Sequence, residues 1–136
     1  MANALYDKGR EGFLDGSIDW DTDTIKVALV DTGNYTVNLS THDFYDDVNQ
    51  SSAVVGTPQT LGSKTVTAGV ADAADVTFST VTGASVEALV IYKSTGSDAT
   101  SRLIAYIDTG TGLPVTPNGG DIIVVWDNGA NKIFKL

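Results

Sequence analysis

Three groups of side chains in this sequence have types and spacings that chemistry could use. The tripeptide Asp-Thr-Gly occurs twice, at Asp31-Thr32-Gly33 and Asp108-Thr109-Gly110, each after an apolar run, Val27-Ala28-Leu29-Val30 and Ile104-Ala105-Tyr106-Ile107. An aspartic protease uses two such triplets, whose carboxylates lie about 3 Å apart, share one proton and activate water. The tripeptide is unspecific in a chain rich in Asp, Thr and Gly, and the stretch between the copies is too short for each to carry its own lobe. An Asp in this position also bonds its own backbone and ends a strand. Both copies therefore read as turns, and Asp31 and Asp108 are expected to stay apart.

Asp19, Asp21 and Asp23 alternate like the first ligands of a calcium loop. That loop needs Gly at its sixth position and Glu at its twelfth, and here Thr24 and Val30 stand there. Read as extended chain, the run puts three carboxylates on one solvated face, and no metal site is assigned. His42 beside Asp43 has the composition of half a catalytic pair. No G-x-S-x-G supplies a nucleophile, and a polar residue in the first turn of a helix is ordinary. With one histidine and no cysteine, two-imidazole sites, thiolate chemistry and disulfides are excluded. No phosphate-binding or dinucleotide fingerprint is present. The expectation is no enzyme, no catalytic residue and no cofactor.

Eight Lys and Arg, scattered along the chain, face seventeen Asp and Glu, a net charge of -9. That balance opposes nucleic-acid binding, which needs clustered bases to neutralise phosphates. The longest apolar runs, residues 88–92 and 122–126, are far too short to cross a membrane. Residues 1–7 have neither a basic start nor an apolar core, so no signal peptide is read, and a cytoplasmic site of synthesis and assembly is expected.

The elements that must position these residues are mostly strands. Val, Ile and Thr are abundant, and branched side chains pack well on a pleated surface. Strands are expected at residues 24–30, 60–67, 75–81, 86–93, 102–108, 121–127 and 131–136. Asn128-Gly129 between the last two is a type I′ hairpin signal, and the polar loop 94–101 joins another antiparallel pair. Residues 3–15 read as a helix stopped by Gly16 in a left-handed C′ position, weakened by Gly9 and Gly12. A second helix is expected near 41–49, with Ser40 as N-cap, Asp43 at N3, and Leu39 and Phe44 as a hydrophobic staple. The fold class is mainly β: an antiparallel β-sandwich or flattened barrel with a short N-terminal helix and a second short helix, in one domain over residues 1–136.

Residues 86–92 and 122–126 are apolar on both faces, so both need cover on each side, from a helix or from a second copy. Self-association as a trimer or dimer is expected on that ground. The glycine-weakened helix is marginal alone, which makes residues 1–20 a candidate docking segment. The candidate interface residues are Leu5, Tyr6, Gly9, Gly12, Phe13, Trp20, Phe44 and Tyr45, since aromatic residues are enriched at interfaces as well as in cores.

The stretch Lys8-Gly9-Arg10-Glu11-Gly12-Phe13-Leu14-Asp15-Gly16-Ser17-Ile18-Asp19-Trp20, running into Ile25-Lys26-Val27-Ala28-Leu29-Val30, resembles small structural proteins that tailed bacteriophages encode near their capsid genes. So do Glu87-Ala88-Leu89-Val90-Ile91-Tyr92-Lys93 and Gly120-Asp121-Ile122-Ile123-Val124-Val125-Trp126-Asp127-Asn128-Gly129. The resemblance is one of overall pattern over nearly the whole chain and carries no catalytic signature. It implies a capsid decoration or cement protein on the virion exterior that binds the major capsid protein and bridges capsomers. A trimer is the oligomer it favours. A neck, tail or fibre-base component is the alternative, and an aspartic-protease-like enzyme a remote one.

Overall fold

The structure, a computed structural model, describes residues 3–50 and 52–136. In chain order the elements are β1 (Ala4–Leu5), α1 (Asp7–Asp15), β2 (Ile25–Val30), α2 (Asp46–Asn49), β3 (Val54–Thr60), β4 (Thr65–Thr67), β5 (Val70–Asp72), β6 (Val76–Phe78), β7 (Ala88–Lys93), a 3-10 turn (Asp98–Thr100), β8 (Leu103–Ile107), β9 (Ile122–Val124) and β10 (Phe134–Lys135). The fold is mainly β and antiparallel with short helices, as the composition implied. A central sheet has the order β1-β8-β7-β2-β3, and two small sheets, β10-β5-β4 and β6-β9, accompany it.

The central sheet is buried on both faces by its own chain. On one face Ile25, Val27, Leu29, Leu89, Ile91 and Ile104 pack with Phe78 and Ala71 from the small sheets and with Trp126 just after β9. On the other face Ala28, Val30, Val90 and Leu103 pack with Tyr35, Tyr45, Val48 and Ala53 from the segment between β2 and β3. The aromatic residues divide between the faces. All five tyrosines lie in the second core, and both tryptophans in the first. A phenol packs as an apolar ring while its hydroxyl seeks a partner: Tyr35 and His42 of the irregular segment provide partners on the second face, and the carbonyls of Asp72 and Ala74 accept the two indole N–H groups on the first.

This arrangement corrects several expectations. Residues 86–92 do not need a second copy, because both faces of β7 are covered within one chain. The N-terminal helix starts at Asp7, since Ala4 and Leu5 first pair with Tyr106 and Ala105 of β8. Gly16 does end it, at φ 80°. The capping box at Ser40 does not form a helix there. The Tyr45 N–H donates to the Ser101 carbonyl, the Leu103 N–H donates to the Asp43 carbonyl, and Phe44 bridges Arg102. Extended pairing along β8 outcompetes the local signal, and only Asp46–Asn49 is helical.

The strand expected at 60–67 is displaced. Thr60 ends β3, and β4 begins only at Thr65. Gly56 and Pro58 hide β3 from a pattern search, yet both suit it. It is an edge strand, where Pro is tolerated, and it bulges where Gly56 takes φ 70°. The C-terminal strands do not form a hairpin across Asn128-Gly129, because β9 pairs with β6 and β10 with β5. The Asp127 carboxylate accepts the Gly129 N–H at 3.1 Å, so the dipeptide makes a local turn. The Trp126 N–H meanwhile donates to Asp75, which ties the preceding chain to the segment before β6. The expected pairing across loop 94–101 is present as β7 against β8.

Candidate functional site

β2 and β8 both run antiparallel to β7, so they run parallel to each other and end at the same edge of the sheet. The two Asp-Thr-Gly turns therefore emerge on one side of the molecule. The first is held by its own Asp: Asp31 accepts the Gly33 N–H at 2.8 Å and the Asn34 side-chain amide at 3.3 Å. At the second, the Asp108 carboxylate accepts the Thr109 hydroxyl at 3.1 Å, and the Asp108 N–H donates to the Asn3 side chain at 3.0 Å. Asp31 is spent within its turn, as the turn reading expects.

Between the turns stands Glu87, just before β7. One of its carboxylate oxygens accepts both the N–H and the hydroxyl of Thr32, at 3.0 and 3.1 Å. Glu87, Thr32, Tyr35, Tyr106, Asp108 and Leu113 line an open hollow of about 390 Å³. Sequence reasoning missed Glu87 and Tyr106 as site residues. The available signal was a lone acid placed directly ahead of an all-apolar strand.

His42, half-buried, ends a hydrogen-bonded chain that runs into the core. Its Nδ1 lies 2.8 Å from the Tyr35 hydroxyl and 3.3 Å from the Asn38 N–H, which can only donate. Nδ1 is thus an acceptor and the ring proton is assigned to Nε2. The Tyr35 hydroxyl then donates to His42 and accepts from Tyr6 at 2.9 Å. Burial pushes the Tyr35 phenol up to about 12 and the Tyr6 phenol higher still. Asp43 is not His42's partner in this network; its N–H donates to Asp47. The chain of rings ties the N-terminal segment to the loop after β2.

The Asp19–Asp23 run turns back on itself instead of extending. The Asp23 N–H donates to the Asp19 carbonyl at 2.9 Å, and the Asp19 N–H to the Asp23 carboxylate at 2.8 Å. Asp23 also pairs with Lys93 at 3.0 Å. A hydrogen bond between the Asp19 and Asp21 side chains holds Asp19 below the usual carboxylate range and pushes Asp21 above it. Among the described residues no group of three His, Cys, Asp or Glu is placed to hold a metal.

Most of the candidate interface residues are interior. Leu5, Tyr6, Gly9, Gly12, Trp20 and Tyr45 are buried in the chain's own core, and Phe13 and Phe44 are half-buried. What approaches the glycines is the chain itself. A Cβ on Gly9 would lie 2.7 Å from the Leu103 carbonyl oxygen, and one on Gly12 2.5 Å from Ile18 Cδ1. Tyr45 stacks on Tyr92 with ring centroids 4.0 Å apart, and the Arg102 guanidinium sits 4.8 Å above Phe44.

Two of that set, Phe13 and the more deeply buried Trp20, line a second hollow of about 410 Å³. Phe134 packs against both rings, 5.8 Å from Phe13 and 5.2 Å edge-on from Trp20. Val66, Ala71 and Leu136 complete an apolar groove with Asp19 and Asp21 at its rim. Val66 is 55% exposed and Leu136 60%. These residues come from α1, the 18–20 segment, β4, β5 and the C-terminal residues 134–136, so no local pattern could have announced the groove. The side chains of Ile123 and Val125 form a separate apolar exposure, at 62% and 67%, because β9 turns Ile122, Val124 and the following Trp126 inward.

No protein-family model matches this chain. A search of curated proteins likewise finds no match.

Proposed function

We propose that this chain is a structural protein of a tailed-bacteriophage virion: a capsid decoration or cement protein that docks on the outside of the head and bridges capsomers. Its action is associative. The observation that carries the docking role is the groove formed by Phe13, Trp20, Val66, Ala71, Phe134 and Leu136, apolar at its centre and acidic at its rim. The virion setting comes from the resemblance in sequence pattern. A net charge of -9 favours an outer position, away from packaged DNA.

The groove's occupant is the major capsid protein, through an apolar side chain flanked by bases. A second copy of this chain would bring its own acidic rim, and like charges across an interface are costly. Self-association as a trimer or dimer uses the outward Ile123 and Val125 instead. Individual contacts of this size are weak, and repetition over a lattice makes them effective.

The test is binding of purified protein to undecorated capsids of the phage that encodes it. Val66→Asp and Leu136→Asp alter exposed residues, so the fold should survive and capsid binding should fall by tenfold or more, about 1.4 kcal/mol or greater. Full binding by both folded variants would remove the groove from the docking surface.

A further inference from the structure

The hollow at the ends of β2, β7 and β8 has no part in the docking reading, and its lining is of a different kind. Glu87 is held in one orientation by two bonds from Thr32 to a single carboxylate oxygen, Oε1. Among the described residues nothing hydrogen-bonds its second oxygen, Oε2. Tyr106 is only 4% exposed, lines the hollow, and finds no hydrogen-bond partner for its hydroxyl among the described residues. Among the described residues no buried side-chain oxygen lacks a partner, so this hydroxyl is the tip of an otherwise buried ring that opens into the hollow. This hydroxyl lies close enough to Asp108 and Glu87 that, after burial itself, their charges oppose its ionisation.

The lining thus offers a fixed carboxylate, a second acid on the rim, and a hydroxyl able to accept a hydrogen bond. Val37, Leu113 and Pro114 supply an apolar wall, and no Lys or Arg is among the lining residues. The complement is a cation with N–H donors on a short apolar stem. A divalent metal fits less well, because the described residues place no three ligands together. We propose that this hollow binds an alkylammonium or guanidinium group, taken from a Lys or Arg side chain of a partner or from a free organic amine. Asp108 is engaged by other groups and the site does not depend on it. The inference is independent of the virion reading, since it concerns the isolated chain.

The experiment is a titration of the full-length, isotope-labelled protein by NMR with n-butylammonium and with ethylguanidinium. Saturable shifts confined to the backbone amides of Thr32, Thr36, Glu87 and Leu113 are expected, with the millimolar affinity that so small a ligand permits. Glu87→Gln keeps an oxygen for Thr32 but removes the charge, and should weaken binding about tenfold or more. Tyr106→Phe should weaken it by less. Val66→Asp, at the other groove, should bind like the parent. N-acetyl-lysine amide binding as well as the free amine identifies a side-chain ligand, and markedly weaker binding identifies a free amine. Equal binding of neutral n-butanol, unaltered affinity in folded Glu87→Gln, or shifts produced by calcium chloride and not by the amines would each overturn the proposal.

Discussion

The Tyr6–Tyr35–His42 chain shows why single polar residues in this molecule are read by their partners. Tyr35→Phe removes the central hydroxyl and strands Tyr6, whose ring is fully buried. Leaving a buried donor unmet costs about 1–3 kcal/mol, against about 1 kcal/mol for the net loss of one bond. Urea denaturation should therefore show Tyr35→Phe destabilised more than Tyr6→Phe, whose removal leaves Tyr35 bonded to His42. The reverse order would mean that the network does not carry the load assigned to it. The turn reading of Asp-Thr-Gly was legible, because Asp31 needs only its own neighbours to make it. Glu87 and Tyr106 were not legible, because what makes them a site is the meeting of two strands that are distant in sequence.

At the scale of elements, local signals failed wherever a long-range pairing competed with them. Ser40 and Asp43 had the letters of a capping box, but β8 offered residues 43–45 backbone partners that a helix would have forgone. Asn128-Gly129 made a turn, yet its flanking strands belong to different sheets. The strongly apolar strands β2, β7 and β8 were legible because burial on both faces needs no register to be recognised. The end of α1 at Gly16 was legible because it is local.

The glycines of α1 separate two effects of opposite sign. An exposed helical Gly→Ala change stabilises by about 1 kcal/mol. At Gly9 the new methyl would meet the backbone of Leu103 and Ile104, which cannot move without disturbing the sheet. Overpacking costs about 1–3 kcal/mol, so Gly9→Ala should destabilise. At Gly12 the obstruction is the end of the Ile18 side chain, and Gly12→Ala should be tolerated better. Since Leu5 and Tyr6 are core and β1 pairs with β8, deletion of residues 2–16 should abolish cooperative unfolding. A truncated protein that folds normally would restore the segment to a docking arm.

For the molecule as a whole, the division of aromatic residues makes the two cores separately visible. Tryptophan fluorescence reports the face covered by the small sheets, and tyrosine absorbance the opposite face. All five phenols are pushed up from their ordinary value of 10.0, chiefly by burial, with Tyr35 and Tyr92 at about 12. The stability tied to these protons is present in full below pH 10. Above it the unfolded chain releases phenol protons that the folded chain retains, so stability falls between about pH 10 and 12. Tyrosinate absorbance should stay low past pH 10 and then rise together with the loss of the tryptophan signal. Gradual ionisation of phenols in a still-folded protein would contradict the packing of that face. The proposal at the centre of this account, docking on the outside of a phage head through the apolar groove, is tested most directly by a reconstruction of the intact particle at a resolution that places side chains. The account predicts copies of this chain on the outer capsid surface with Phe13, Val66, Phe134 and Leu136 against the major capsid protein. Copies confined to the neck or tail, or docked with that groove open to solvent, would contradict it.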